Sequence, residues 1–293
     1  MSQEEFGMHR QPAIWFRRRE DGKSDLSKLG GRPTLPPDIN WPRHGQTGTP
    51  LHFLSQIDLS RLPPTPLHNA PGAPTLPTRG LLFFFADMVE EMLWGENGGP
   101  LATTRVIFAK QAGPERAPPD DTPEILHAFG ERAGGFKTGI VEYPPMALEP
   151  HLIETFSEAG DPDASLLVAS IEKAIGSLRV FTGPDSWGAI AAAKPREYIQ
   201  ELHGRRELNL PLHQMLGVAT NIQGTAVQLQ TAGTVLLLQI DSDTWLHEEF
   251  MFCDMGAAQF WIEPADLTRG KFEKAWGTPK VPESRPLDWW KRQ

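Results

Sequence analysis

The hydrophobic pattern changes period several times along the chain, and each change marks an expected element. Residues 12–18 (PAIWFRR) and 50–58 (PLHFLSQID) are apolar runs of strand length. Residues 80–87 (GLLFFFAD) form a continuous apolar run, read as a buried strand. Residues 103–110 (TTRVIFAK) alternate with period two and suit a strand pairing with it across the polar GENGGP segment. Residues 137–148 (KTGIVEYPPMAL) predict a further strand. Helical spacing then takes over. In 163–179, Leu166, Leu167, Ile171, Ala174, Ile175 and Leu178 share one helix face behind Asp163 as N-cap. Residues 196–207 read as a second amphipathic helix and 124–133 (EILHAFGERA) as a short one. Strands return at 234–243 (TVLLLQIDSD) and 255–264 (MGAAQFWIEP). Residues 264–276 (PADLTRGKFEKAW) predict a last helix with Pro264 in its first turn. Proline density makes 61–79 a surface loop, because proline removes backbone donors and cannot sit in a central strand.

Two halves of the chain repeat one order of blocks. Leu29-Gly30, then Gln56-Ile57-Asp58 at the end of an apolar strand, then Gly80 and an aromatic strand, are matched by Leu216-Gly217, Gln239-Ile240-Asp241, and Gly256 with its own aromatic strand. One tripeptide recurs by chance; three ordered blocks with similar gaps point to an internal duplication. The period is far too long for a solenoid array. The expected fold is α+β: one domain over 1–293, with mostly antiparallel sheet units, flanking helices and long proline-rich loops. Its two repeats cover about 12–110 and 208–277, around a mixed strand and helical middle segment at 111–207.

These blocks carry a resemblance. SKLGGRPTLP, NWP, PLHFLSQIDLS and GLLFFF, followed by LHQMLGVATNIQG, LLLQIDSD and CDMGAAQFWIEPADL, resemble the YwqG-like family, a bacterial domain of unknown function. The likeness runs from about Ile14 to Phe272. It implies an internally duplicated α+β fold and implies no activity. Where members carry a Trp-Gly pair before the aspartate matching Asp254, this chain has Phe252-Cys253.

Composition narrows the classes. Hydrophobic residues at 39% and charged ones at 22% provide for a buried core. A net charge of −9 lacks the basic footprint of a nucleic-acid binder, and Arg17-Arg18-Arg19 is offset at once by Glu20-Asp21. Cys253 is the only cysteine, which excludes an internal disulfide and a cysteine zinc cage. The acidic N-terminus is no signal peptide, and no apolar run reaches the length of a membrane span. A cytoplasmic protein with no membrane or nucleic-acid partner is expected.

Candidate chemistry follows from the repeat. On a strand, positions i and i+2 share a face, so Gln56 points with Asp58, and Gln239 with Asp241. A buried amide needs partners, since leaving one unsatisfied costs roughly 1–3 kcal/mol. The scaffold reading has each Gln fastening a neighbouring loop, such as the Gly30-Gly31 segment, and each Asp capping the turn that follows. The functional reading makes Gln56, Asp58, Gln239, Asp241 and Asp254 a set of binding residues at a cleft between the repeats, with Trp41 as an aromatic platform. No metal or cofactor site is expected: in DSDTWLHEE, Trp245 and Leu246 interrupt the calcium-loop spacing, and the nine histidines lack zinc spacing. GPDSWG is a near miss for the nucleophile elbow, with Pro184 where the first glycine belongs, so Ser186 reads as a turn residue. No residue is assigned a catalytic role. The chain reads as a non-catalytic module for a protein or small-molecule partner, of the kind that suits regulation or toxin neutralisation. The alternative is a carboxylate- or metal-dependent hydrolase using Asp241, Asp243 and Asp254 at the inter-repeat cleft.

Overall fold

The computed structural model describes residues 10–19, 25–64, 75–89, 100–127, 136–156, 213–219, 229, 232–243, 246–247, 250, 252 and 257–278. The strands are β1 (Arg10–Arg18), β2 (Lys28–Leu29), β3 (His52–Asp58), β4 (Leu81–Ala86), β5 (Thr104–Ala109), β6 (Leu126–His127), β7 (Phe136–Lys137), β8 (Met146–Phe156), β9 (Gln214–Leu216), β10 (Val235–Asp241), β11 (Ala257–Ile262) and β12 (Trp276–Thr278). Among the described strands, ten form one antiparallel sheet in the order β12-β11-β10-β9-β1-β8-β2-β3-β4-β5, and β6 pairs with β7. The sheet curls until its edges nearly meet. The Gly277 amide donates to Thr104 Oγ1 at 2.8 Å across the seam between β12 and β5. Phe272 covers the seam further along, with its ring 5.4 Å from that of Phe108.

The strand order reads alike from both ends. β8-β2-β3-β4-β5 runs one way from the central pair, and β1-β9-β10-β11-β12 the other. Both sets carry a β-bulge at one position. The register slips between Phe53 and Ser55 against β4, and between Leu236 and Leu238 against β11. In each set this places an apolar residue (Ile57, Ile240) inward and the Gln outward. Two residues with positive φ follow each short strand: Gly30 and Gly31 (57° and 67°) after β2, Leu216 and Gly217 (62° and 67°) at the end of β9. Lys28 pairs with Gln56 as Gln214 pairs with Gln239, so Leu216 stands where Gly30 does, one residue off the Leu-Gly match read from sequence. A Cβ at Gly30 would meet Pro144 O at 2.3 Å, which is why glycine holds that left-handed position.

The interior is lined from both sets by Ile14, Leu29, Leu54, Ile57, Met215, Leu237 and Ile240, among others. Phe84 and Phe260, which occupy matching registers, meet there edge-on at 5.1 Å, a geometry worth about 0.5–1.5 kcal/mol beyond area burial. Outside β3–β5, the proline-rich segment after β2 lays Leu35, Trp41 and Leu51 over Phe53, Phe83 and Phe85. Outside β10–β12, Ala219 and Leu229 cover Leu236, Trp261 and Trp276.

The α+β expectation is overturned. The architecture is a nearly closed antiparallel sheet, and the described residues hold little helix: α1 (Pro100–Thr103), α2 (Pro264–Thr268) and the single helical residue Leu229. The helix expected over 264–276 stops early. Gly270 turns left-handed at φ 67°, the Lys271 amide donates to Asp266 O, and the chain passes through a 3₁₀ turn at Phe272–Lys274 into β12. In the segment expected as a short helix, Leu126–His127 form β6. The strand expected over 137–148 is split, because Pro144-Pro145 lies between β7 and β8. β8 itself runs through Pro150. The Phe16 amide opposite it bonds His213 O on the other side, and the Pro150 nitrogen points past the end of β2, where no donor is required. The helices expected over 163–179 and 196–207 lie outside the described residues. No helix among the described residues is long and apolar enough to cross a membrane.

Candidate functional site

Gln56 leaves β3 on the outer face, fully buried, with both ends of its amide engaged. Its Oε1 accepts from the Thr34 amide (2.8 Å) and the Thr34 hydroxyl (3.1 Å), and its Nε2 donates to Leu26 O (2.7 Å). Leu26 and Thr34 flank the Gly30-Gly31 turn, so one side chain pins both ends of that segment. Asp58 caps the 3₁₀ turn Leu59–Arg61: its Oδ1 accepts from the Ser60 amide (2.9 Å) and hydroxyl (2.7 Å). Trp41 is buried edge-on against Phe85, and its Nε1 donates to Leu51 O at 2.8 Å. It offers no open ring face.

Gln239 and Asp241 leave β10 on the same outer side of the sheet as Gln56, but four strands (β9, β1, β8 and β2) lie between β10 and β3. The two Gln-Asp pairs therefore serve separate surroundings and do not face each other. Gln239 Nε2 donates to Asp241 Oδ1 at 3.3 Å, and Gln259 Nε2 donates to Gln239 Oε1 at 3.1 Å. Beside them His213 is buried with both ring nitrogens engaged. Its Nδ1 accepts from the Asp241 amide (3.1 Å), which fixes the proton on Nε2, and Nε2 donates to Asp243 Oδ2 (3.2 Å). Ser242 Oγ accepts from the Phe252 amide at 2.9 Å. Asp254, Ser186 and Cys253 lie outside the described residues. Among the described residues, no group of three or more His, Cys, Asp and Glu side chains is placed to hold a metal ion.

Gln239 also belongs to a longer row whose other members no sequence motif pointed to. β1 lies between β8 and β9, and the register puts Trp15 directly opposite His151 on one side and Gln214 on the other. Gln214 is in turn opposite Gln239, Gln239 opposite Gln259, and Gln259 opposite Thr278. Directly paired residues share a face. His151, Trp15, Gln214, Gln239, Gln259 and Thr278 thus make one transverse row on the outer face. In the other set the matching registers hold Phe83 and Ile107 where this row has Gln259 and Thr278. Within the row, Gln214 is fully buried. Its Nε2 donates to Leu216 O (3.1 Å) and Val218 O (2.9 Å), which orients the amide and leaves Oε1 buried with no partner. Across Trp15, His151 Nε2 is likewise buried and makes no hydrogen bond; Glu149 Oε2 stands 3.5 Å away, outside bonding geometry. A buried acceptor without a donor is rare enough to require a physical account.

Elsewhere histidine is spent on the frame. His52 is buried, with Nε2 donating to Pro123 O (2.9 Å) and Nδ1 accepting from the Met88 amide (3.2 Å); burial holds its pKa below the ordinary value, against the opposing pull of the Pro123 bond. Lys28 holds Glu115 at 2.8 Å, and that bond keeps the Glu115 carboxyl below its usual range.

Comparison with known proteins gives kinship without activity. No curated protein matches the chain. The model of one family, described as a domain of unknown function (DUF1963), matches residues 27–279, which takes in β2 through β12 and both Gln-Asp pairs. With that match over most of its length, the chain belongs to the DUF1963 family.

Proposed function

We propose that this DUF1963 member is a non-catalytic binding module, of YwqG-like kinship, built from two copies of one strand unit. A cytoplasmic setting suits a chain whose 293 residues include a single cysteine. The observation that carries the binding reading is the distribution of hydrogen-bonding capacity. His213 and His52 have both ring nitrogens occupied, which leaves neither poised to exchange a proton with a substrate. Gln56 and Asp58 are likewise bound into the frame. Among the described residues three buried side-chain polar atoms lack a partner, Thr122 Oγ1, His151 Nε2 and Gln214 Oε1; the last two stand on one face on either side of Trp15 with no hydrogen-bonded proton-transfer pair beside them, which favours holding over transforming.

The test is recovery of the bound component. The full chain is purified natively, denatured, and its extract and co-eluting proteins are identified by mass spectrometry. A stoichiometric component recovered chemically unchanged, and raising Tm when added back, is the expected result. A component that the protein consumes with multiple turnover would refute the reading.

A further inference from the structure

We infer that the free edge of β8, beyond the end of β2, is an interaction surface for a second copy of this chain, the two β8 strands pairing antiparallel across a two-fold axis. Among the described residues, β2 pairs with β8 only at Met146 and Ala147, and the Leu148 amide donates to Ser27 O where that cover ends. On its other side β8 stays paired with β1 as far as Phe156. The edge turned away from β1 is therefore open over the second half of the strand. Strand alternation decides which groups it presents. The Phe16 amide points toward β9, where it bonds His213 O, so Trp15 and His151 exchange bonds within the β1–β8 ladder, as do Ala13 and Ile153. Pro150, Leu152 and Glu154 then direct their backbone groups away from β1, as Leu148 does. Donors and acceptors fixed along such a line accept an extended strand.

Leu152 shows that this edge is open. It stands directly opposite Ile14, and Ile14 opposite Met215, so the three form one row on the inner face. Ile14 and Met215 are fully buried, whereas Leu152 is 39% exposed. The apolar row is covered where a further strand follows and reaches solvent at β8, which leaves room beside Leu152 for another chain. The edge also complements itself. Proline at an edge blunts indiscriminate strand addition, because it brings no N–H. An axis at Ile153 avoids that loss. Leu152 of each copy then exchanges both backbone bonds with Glu154 of the other, and the Pro150 carbonyl accepts from the Phe156 amide of the other. An axis one residue back, at Leu152, would drive Phe156 into Ser27, which already occupies the place beside Leu148. With the axis at Ile153, His151 falls opposite Thr155 and Ile153 opposite itself, so these outer-face pairs carry no like charges. The two Leu152 side chains become diagonal neighbours on the inner face and cover each other. Each copy offers the same patch, as a two-fold interface requires. The contact is short, so the dimer is weak and depends on concentration.

The test is sedimentation equilibrium of the full chain from about 5 to 500 μM, a span suited to small, weak interfaces. Wild type is expected to pass from monomer to dimer across it. Leu152→Asp sets two carboxylates near each other in the contact and should weaken the dimer about tenfold or more. Because Leu152 is exposed in the single chain, the Tm of the dilute variant should match wild type. Leu152→Met, which keeps the apolar contact, should retain the dimer. Hydrogen exchange locates the surface. The Leu152 amide should slow as concentration rises, while the His151 and Ile153 amides, bonded to β1, should not change with it. A chain that stays monomeric throughout overturns the inference, as does a dimer that Leu152→Asp leaves intact. A Leu152 amide already slow in the dilute monomer would mean that the chain covers its own edge, and one fast at every concentration that nothing pairs there; either result also overturns it. So does a different protein that co-purifies with wild type and is lost in Leu152→Asp while no self-association is seen, since the edge would then belong to a foreign strand. The recovery experiment above, which seeks a bound component, is read independently of all these outcomes.

Discussion

Closure of the sheet rests on a contact between residues 173 positions apart, and a pair of substitutions isolates it. Gly277 has no Cβ; one built there would stand 2.6 Å from Thr104 Cγ2 and 3.2 Å from Thr104 Cβ. Relaxed carbon contacts lie at about 3.5–4.0 Å. Gly277→Ala therefore forces an overlap of about 1 Å at the seam, and overpacking of this kind costs about 1–3 kcal/mol. Moving the strands apart lengthens the bond from the Gly277 amide to Thr104 Oγ1, with a net loss of about 0.5–1.5 kcal/mol. The reduced freedom of the unfolded chain returns about 0.4–1 kcal/mol. The expected net destabilisation is about 0.5–4 kcal/mol. Thr104→Ser removes Cγ2, keeps the oxygen, and alone costs about 1 kcal/mol for one buried methyl. The double variant then has room for the new methyl and retains the bond, so it should be more stable than Gly277→Ala alone. Urea unfolding midpoints at unchanged m would supply the four free energies. Additivity within about 0.3–0.5 kcal/mol would show that the two residues do not touch, and that β5 and β12 do not close the sheet as described.

The remaining predictions concern the frame. Gln56→Leu strands the Thr34 amide and hydroxyl in a buried setting and releases Leu26 O at a partly exposed one, and should cost about 1–3 kcal/mol in urea melts while the Thr34 amide exchanges faster with solvent; unchanged exchange at Thr34 would refute the assigned bonds. Gly30→Ala combines a left-handed backbone, about 1–2 kcal/mol, with a Cβ placed 2.3 Å from Pro144 O, and should cost more than about 3 kcal/mol or yield no folded protein. Leu216→Gly relieves the same backbone cost but deletes a buried side chain worth about 2–5 kcal/mol, so it should be a net destabilisation, and a Tm gain would refute the core placement of Leu216. His52 titrates below its ordinary value in the fold, so the unfolded chain takes up a proton first as pH falls below about 6.5. The contribution of His52 is whole above that pH and is lost as pH drops from there toward the depressed folded value, at up to about 1.4 kcal/mol per pH unit. His52→Gln should flatten that part of a pH series of urea melts, and parallel curves for the two proteins would refute it.

What the sequence revealed was local. The outward pairing of Gln56 with Asp58 follows from strand parity, and the Asp58 cap from its position just before a turn; both depend on residues two apart. The β4–β5 pairing was legible because one segment alternates and its neighbour is continuously apolar. The helix over 264–276 was misread because its apolar spacing outlasts the helix: Gly270 and the pull of Trp276 into the sheet beside Trp261 decide the end. The Leu-Gly match slipped by one because a backbone feature, two consecutive positive φ values, is held by Gly-Gly in one set and by Leu-Gly in the other. Trp15, His151 and Gln214 come from three segments more than 60 positions apart, and only the β8-β1-β9 order joins them. No spacing rule could have found that row.

That order has a mechanical consequence. β1 opens the chain yet pairs with β9, and β8 precedes β9 yet pairs with β2. Each long strand thus pairs with a short strand distant from it in sequence, and the two long strands lace the sets together over nine paired positions from Arg10↔Phe156 to Arg18↔Leu148. Among the described strands, the long strand of each set is paired on its far side only by the long strand of the other. Ile14 needs Met215, and Leu29 needs Met146, to fill the shared interior. Separate unfolding of one set would strand the first strand of the other, so the two should melt as one transition. The His151–Trp15–Gln214 row spans this lacing, with one residue from each of the three strands that join the sets. Because β1 cannot leave β8 or β9 without dismantling the row, exchange at Phe84 and Phe260, in opposite sets, should report the same opening free energy, and clearly different values would refute the single transition.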